Sequence, residues 1–372
     1  MERLWLENQE SKVFYEIYKV LIMEKTAVLA ITKNGVNIGQ NLKELFPGWS
    51  IFAPAKLSNE NSGIIWYSES TSEKIVELFK NNNALVCLFS LGAVIRLIAP
   101  HLKDKKTDPA VIVIDDKTNF VISVLSGHIG GANELTQEIA EKLGALPVIT
   151  TAADVNKTIA VDLVGREFNW KIDDESTVTK ISAHMVNGEP IGVFQDVGKK
   201  NWYKELPRNV SIYDSLEDLK KSSSKAYLII SDRIIDGDFV KESVIYRPPS
   251  LVIGVGLHGD TSKETIREGV ESCLEKFKLS SKSIVKLVSI KKPQDVQGLI
   301  DFGEEMGIPV EYVNRQDLAK ISAPNPSETV KVFEGTASVS EAAAIKVSGG
   351  ELVVEKQKFP PNLTIAIARI LN

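Results

Sequence analysis

Val121-Ile122-Ser123-Val124-Leu125-Ser126-Gly127-His128-Ile129-Gly130-Gly131-Ala132-Asn133-Glu134-Leu135 decides the fold class of this chain. A β-branched apolar run enters the stretch. Leu135, Ile139, Ala140 and Leu143 leave it at helical spacing. A strand, a glycine-rich turn and a helix start is how an α/β protein presents an anion or a reacting group. Gly127, Gly130 and Gly131 let backbone approach a ligand closely, and a hydroxyl, an imidazole, an amide and a carboxylate stand beside them.

Upstream, the same alternation continues. Thr26 to Ile31, Gly63 to Tyr67 and Ala84 to Phe89 read as strands; Ser72 to Phe79 and the segment through Val94 and Leu97 read as helices, the latter ending at Pro100. Ala110 to Ile114 and Phe120 to Leu125 flank Asp115-Asp116-Lys117-Thr118-Asn119, a hairpin turn. The helix from Gly131 stops at Gly144, and a short strand follows over Pro147 to Thr150. Residues 1–23 carry Val13, Ile17, Val20 and Leu21 at helical spacing, an additional helix. The pattern predicts a mostly parallel sheet with helices on both faces.

Downstream, residues 154–248 are less patterned and read as a small α/β domain. Tyr246-Arg247-Pro248-Pro249-Ser250 reads as a linker or turn. The last third restarts with a strand at Leu251 to Val255. Thr261-Ser262-Lys263-Glu264 and Ser338-Val339-Ser340-Glu341 are capping-box sequences, each opening a helix. A strand over Ser283 to Ile290, a helix over Val296 to Met306 and a closing hairpin of Leu352 to Val354 with Leu363 to Ala368 complete the unit. The expected class is α/β: a Rossmann-like parallel-sheet domain over 1–153, a middle α/β domain over 154–248 and an α/β domain over 249–372.

Composition narrows the function. The 372 residues are 43% apolar and 25% charged, an ordinary packed protein. A net charge of −5 disfavours a nucleic-acid partner. No apolar run reaches the roughly 18 residues of a membrane span, and the N-terminal residues lack the form of a secretory signal. Cys87 and Cys273 stand alone in apolar contexts, as buried thiols of a reducing, cytoplasmic compartment do. His101, His128, His184 and His258 show no metal-ligand spacing and no Cys-x-x-Cys occurs, so no protein-built metal site is expected.

Several constellations carry chemistry. Ser126 and His128 are candidates for nucleophilic or acid–base work, with the Gly130 and Gly131 N–H groups as oxyanion donors; alternatively Ser126 and Asn133 only satisfy backbone groups of the turn. Arg96, inside an apolar helical pattern, calls for a counter-charge or a ligand carboxylate, whereas Lys103, Lys105 and Lys106 suit a solvated face. Thr150, Thr151 and Asp154 follow a strand, where open sheets bind ligands, or cap a helix. Gly254-Val255-Gly256-Leu257-His258-Gly259 fits a dinucleotide fingerprint, but the next strand ends in Lys291-Lys292 without the ribose-binding acid. An NADP-dependent oxidoreductase is therefore a rival reading, and a ligand-free turn a plainer one. Glu341 reads as the reciprocal acid of its capping box.

Four blocks carry a resemblance: Gly92-x-x-x-Arg96-x-Ile98-Ala99-Pro100, Lys105-x-x-Asp108-Pro109-Ala110-Val111, the Ser126 to Leu135 stretch and Pro147-Val148-Ile149-Thr150-Thr151-Ala152-x-Asp154. In this order they resemble the cobalt-precorrin-5A hydrolases, the CbiG family of anaerobic cobalamin biosynthesis. The last third resembles that family's CobE-like C-terminal domain through Gly254-x-Gly256, Thr261-Ser262, Pro326-Ser327-Glu328, Ser338 to Ala344 and Thr364-x-Ala366-x-Ala368-Arg369. Family members often carry Cys and Arg where Leu257-His258-Gly259 stands here. The resemblance implies a hydrolase that opens the δ-lactone of cobalt-precorrin-5A and releases acetaldehyde, with cobalt inside the substrate and no further cofactor. It implies His128 as the water-activating base and Ser126 beside the lactone. The substrate would meet Arg96, Gly127, Gly130, Gly131, Asn133, Glu134, Thr150, Thr151 and Asp154, and in the last third Gly256, Thr261, Ser262, Ser338 and Glu341, its carboxylates held by Arg96, helix N-termini and the Thr150-Thr151 turn. Expected partners are that corrinoid, other enzymes of the pathway and a second copy of the chain. A non-catalytic tetrapyrrole carrier is the remaining alternative.

Overall fold

The computed structural model describes residues 25–58, 63–104 and 107–371; the helix expected within 1–23, and Lys105 and Lys106, lie outside them. The described residues divide into two compact units, the first ending at Leu163 and the second beginning at Val164. Asp154 thus belongs to the first unit, beyond the boundary expected at residue 153.

The first unit is built on a seven-stranded sheet. Its strands are β1 (Thr26–Ala30), β2 (Ser50–Pro54), β3 (Ile64–Tyr67), β4 (Ala84–Leu88), β5 (Ala110–Ile114), β6 (Phe120–Leu125) and β7 (Leu146–Val148), in the order β3-β2-β1-β4-β5-β6-β7. β1 to β5 are parallel. The Asp115 to Asn119 hairpin reverses the chain, so β6 is antiparallel to β5 and β7 follows β6. The carboxyl ends of β6 and β7 therefore emerge at the edge where β1 to β5 begin. That reversal places the Ser126 turn opposite the carboxyl edge of the main parallel set.

Both faces of this sheet are covered, as the sequence predicts. Val28 and Ala30 pack with helices Lys33–Leu45 and Ala132–Leu143; Ala27 and Leu29 pack with Thr71–Asn81 and Leu91–Ile98. Burial on both faces is why these strands are continuous apolar runs, each large side chain contributing about 1.5–3 kcal/mol. Helix Lys33–Leu45 and β2 have no counterpart in the sequence reading. The helix holds Gly35 and Gly39, poor helix formers, yet a Cβ at Gly39 would stand 2.8 Å from Ile51 Cγ2. Close packing on β2 overrides propensity there. Cys87 lies within β4, and burial pushes its thiol well above the ordinary range.

The second unit holds two five-stranded sheets. The first contains β8 (Lys171–Ile172), β9 (Ile191–Gln195), β10 (Val210–Tyr213), β11 (Ala226–Ile230) and β12 (Ser243–Arg247), in the order β10-β9-β11-β12-β8, parallel except for β8. The second contains β13 (Leu251–Leu257), β14 (Ile284–Ile290), β15 (Val310–Val313), β16 (Leu352–Phe359) and β17 (Leu363–Arg369), in the order β15-β14-β13-β17-β16. β13, β14 and β15 are parallel, and the β16–β17 hairpin closes the sheet. The expected mixed α/β class holds throughout. Burial pushes the Cys273 thiol, on helix Lys263–Lys276, up to about 11.

Two local readings change. Helix Lys263–Lys276 is capped by Ser262, whose Oγ accepts the Thr265 N–H; Thr261 instead takes the His258 N–H at 3.1 Å. The Thr261–Glu264 capping box does not form, because the cap sits one residue later. The supposed linker is also interior. Arg247 is 1% exposed and donates to the carbonyls of Ser231 and Arg233 and to Asp173. Nearby, Asp232, fully buried, takes two hydrogen bonds from Arg369 and one from Ser250, tying β17 to the segment after β11.

Candidate functional site

The turn after β6 is tight for stated reasons. A Cβ at Gly127 would meet Asn133 Oδ1 at 2.7 Å, and one at Gly130 would meet Ser126 Cβ at 2.4 Å. Gly131 closes the turn in the left-handed region at φ 79°. Ser126, not a glycine, also holds a positive φ of 56°. Such backbone in a non-glycine residue is costly and concentrates at functional sites.

Folding this turn brings His128 between two carboxylates. Its Nε2 lies 3.2 Å from Asp154 Oδ2 and its Nδ1 lies 3.3 Å from Asp162 Oδ1. Asp154 comes from the short helix Ala152–Asn156 that follows β7, and Asp162 from the single turn Val161–Leu163. The amide of Asn133, at the start of helix Ala132–Leu143, donates to Asp154 Oδ2 at 2.8 Å and to Thr151 Oγ1 at 2.9 Å. Ser123 of β6 donates to the Asn133 carbonyl oxygen at 2.7 Å, which fixes the amide's orientation. The chain Ser123–Asn133–Asp154–His128–Asp162 is one continuous polar network.

Asp162, assisted by Asp154, raises the His128 pKa above its ordinary value, against the opposing effect of burial. A neutral imidazole carries one N–H and serves one carboxylate as donor; the imidazolium serves both. The geometry therefore favours the charged ring, which has no lone pair with which to take a proton from water. That arrangement suits His128 to give a proton, a different role from the expected water-activating base. Asp154 is the more open carboxylate, its side chain 42% exposed against 16% for Asp162.

Other expected members are placed differently. Ser126 Oγ donates to the Asp108 carbonyl at 2.9 Å and is committed away from His128. The Gly131 N–H closes onto the His128 carbonyl, and the Ala132 and Asn133 N–H groups bond the carbonyls of Ser126 and Gly127. Of the expected oxyanion pair, the Gly131 N–H is thus spent on the turn. Glu134 and Thr150 are exposed outside the network. Arg96 is also exposed and donates to the Gly92 carbonyl at 3.0 Å, so it lies on the solvent side of its helix and requires no buried counter-charge. Asp162, Ser123 and Asp108 are not among the site residues expected from the sequence. The one signal for Asp162 is a lone acid in Ala160-Val161-Asp162-Leu163.

The second unit carries a cleft of about 1260 Å³ where β13 and β14 end. Gly256 and Ser338 line it, with Lys358, the exposed ring of Phe333 and the Pro360-Pro361 turn. Gly254 and Gly256 lie inside β13, paired with Ala366 and Thr364 of β17. A Cβ at Gly254 would stand 1.9 Å from the Ser340 carbonyl oxygen, and one at Gly256 would stand 2.4 Å from Thr364 Oγ1. These glycines admit helix Val339–Ser348 and β17, rather than forming a turn beneath a pyrophosphate, which removes the basis of the nicotinamide reading.

The second capping box does not form either. Ser338 makes no cap bond, and Glu341 is fully buried, accepting from the Asn325 N–H, the Asn325 amide and the Lys356 N–H. Asn325 and Lys356 line the cleft, so Glu341 holds two of its walls together. Thr261 is buried beneath the loop after β13, and Ser262 sits at the helix start.

Comparison with known proteins gives a consistent picture along the chain. Residues 73–154 match the Cobalamin synthesis G N-terminal model, 159–248 the Cobalamin biosynthesis central region and 251–368 the Cobalamin synthesis G C-terminus. A cobalt-precorrin-5A hydrolase of Priestia megaterium is 41% identical over 92% of this chain and 94% of its own length. The protein of the same name from Salmonella typhimurium is 30% identical over 89% and 94%. Among solved structures, a cobalamin biosynthesis protein G homolog from Sulfolobus solfataricus is 23% identical with a TM-score of 0.37, covering 94% of this chain and 99% of that one. CobE, a protein of the cobalamin biosynthetic pathway, is 28% identical with a TM-score of 0.32 over 33% of this chain and 96% of its own.

Proposed function

Because the chain belongs to the CbiG family of cobalamin synthesis, we propose that it hydrolyses cobalt-precorrin-5A to cobalt-precorrin-5B and acetaldehyde. The observation that carries this reading is 41% identity, over 92% of the chain, to a relative bearing that activity's name. The reaction opens the substrate's δ-lactone and then breaks a carbon–carbon bond. Cobalt travels inside the substrate, and the work is done in the cytoplasm.

The chemistry needs a proton acceptor for water and a proton donor for the leaving oxygen. Water adds to the lactone carbonyl as its proton passes to Asp154. The ring carbon–oxygen bond then breaks, and the freed oxygen takes a proton from the His128 imidazolium. In the second stage the new hydroxyl passes its proton to the now neutral His128 imidazole and becomes the carbonyl of acetaldehyde, while Asp154 returns the proton it took from water to solvent. The electron pair of the broken carbon–carbon bond passes into the conjugated macrocycle. Asn133, itself bonded to Thr151, holds Asp154 in place throughout.

The cleft of the second unit has the size and lining for a large flat macrocycle edged with carboxylates. Phe333 offers a ring face, Lys358 a cation, and Gly256 and Ser338 part of the wall. Thr261, Ser262 and Glu341 support that cleft. In the first unit, Gly127, Gly130 and Gly131 shape the turn that carries His128.

Supplying cobalt-precorrin-5A and measuring acetaldehyde tests the reading. The wild type should release one acetaldehyde per substrate, and His128→Ala should lose at least about 100-fold in kcat while still binding substrate. No acetaldehyde from competent substrate would sink the assignment; binding without turnover by the wild type would make the protein a carrier.

A further inference from the structure

We propose that Asp162 is a positioning residue for the reaction, holding His128 so that its Nε2–H stays directed at Asp154. The inference rests on the functional reading above, in which His128 is the proton donor. Its basis is geometric. Asp162 Oδ1 stands 3.3 Å from Nδ1, on the opposite side of the ring from Asp154. The two carboxylates fix the plane and the direction of the imidazole at both ends. One carboxylate comes from the turn Val161–Leu163 and the other from the helix Ala152–Asn156.

The two acids are not equivalent. Asp154 is the more exposed and also binds Asn133, so it is suited to meet solvent and substrate. Asp162 is the more enclosed, and its partner atom is the nitrogen turned away from Asp154. A carboxylate behind an imidazole orients the ring and stabilises its cation without itself changing protonation. That division assigns proton exchange to the Asp154 side and orientation to Asp162. The proton His128 gives up leaves from Nε2, and the ring recovers one there from the new hydroxyl in the second stage.

The sign of the pH effect follows. His128 is held above the ordinary histidine value of about 6.5, and a donor works while protonated. Activity should therefore fall as pH rises through the His128 midpoint. Removing the Asp162 charge should move that midpoint, and the alkaline limb of kcat, to lower pH.

The test uses the full chain. Ring resonances of its four histidines are followed against pH by NMR, with His128→Ala identifying the signal, and kcat and KM are measured for the wild type, Asp162→Asn and Asp162→Glu. Asp162→Asn should lower the His128 midpoint and cost about tenfold or more in kcat at neutral pH, with KM within about threefold. Asp162→Glu should recover part of both. A midpoint unmoved in Asp162→Asn, or an unchanged kcat profile beside an active wild type, overturns the proposal. A wild type that releases no acetaldehyde while the variant's midpoint still drops overturns the functional reading and leaves the Asp162 hold on His128 standing.

Discussion

Ser126 and His128 are two residues apart and look like partners on paper, yet their side chains are committed differently. The Ser126 hydroxyl is bound to the Asp108 carbonyl, while His128 lies between Asp154 and Asp162. A serine in left-handed backbone points its side chain where that φ sends it, and spacing along the chain does not reveal the direction. Ser126→Ala keeps the backbone conformation and removes one hydrogen bond. It should cost about 1 kcal/mol in urea unfolding and leave acetaldehyde release within about threefold. Complete loss of turnover in a folded Ser126→Ala would restore the hydroxyl as a reacting group. His128 itself was legible in the sequence as a candidate residue, but the carboxylate at its Nδ1 was not. Asp162 lies 34 residues away in a stretch without periodicity.

At the scale of elements, strands and helices were readable wherever apolar periodicity was strong. β1, β4, β5 and β6 fall where alternation and β-branching place them, and helix Ala132–Leu143 stops at its expected glycine. Glycine-bearing elements were harder. Helix Lys33–Leu45 is hidden by Gly35 and Gly39, and Gly254 and Gly256 imitate a nucleotide-binding turn while standing inside β13. In each case the glycine answers to a neighbouring element rather than to its own. Gly254→Ala is the direct test. Its Cβ would stand 1.9 Å from the Ser340 carbonyl oxygen, a backbone atom on helix Val339–Ser348 that cannot turn aside. The substitution should destabilise the protein by about 3 kcal/mol in denaturant unfolding. Unchanged stability would mean that helix and strand do not meet this closely.

Across the whole molecule, acid–base groups and the large cleft occur in different units, the His128 network before Leu163 and the cleft after Val164. The proposed binding and proton-transfer roles are therefore testable one at a time. Phe333→Ala should weaken binding of a stable cobalt corrinoid heptacarboxylate by about tenfold, as loss of a stacked ring implies, and Lys358→Ala by about threefold, read by visible absorbance. Neither should move the His128 midpoint. Full affinity in both variants would remove the cleft from the substrate's path. Sequence by itself determined the α/β class, the order of most elements, the buried cysteines and the glycine-rich turn that carries His128. Those features depend on local propensity and on periodic burial, which are written residue by residue. Only the tertiary structure decided that β7 pairs with β6 and so runs against the main parallel strands, that Asp162 faces His128, and that Glu341 joins Asn325 to β16. Those are contacts between distant segments, fixed by the pairing of strands and by packing in three dimensions, to which spacing along the chain is blind.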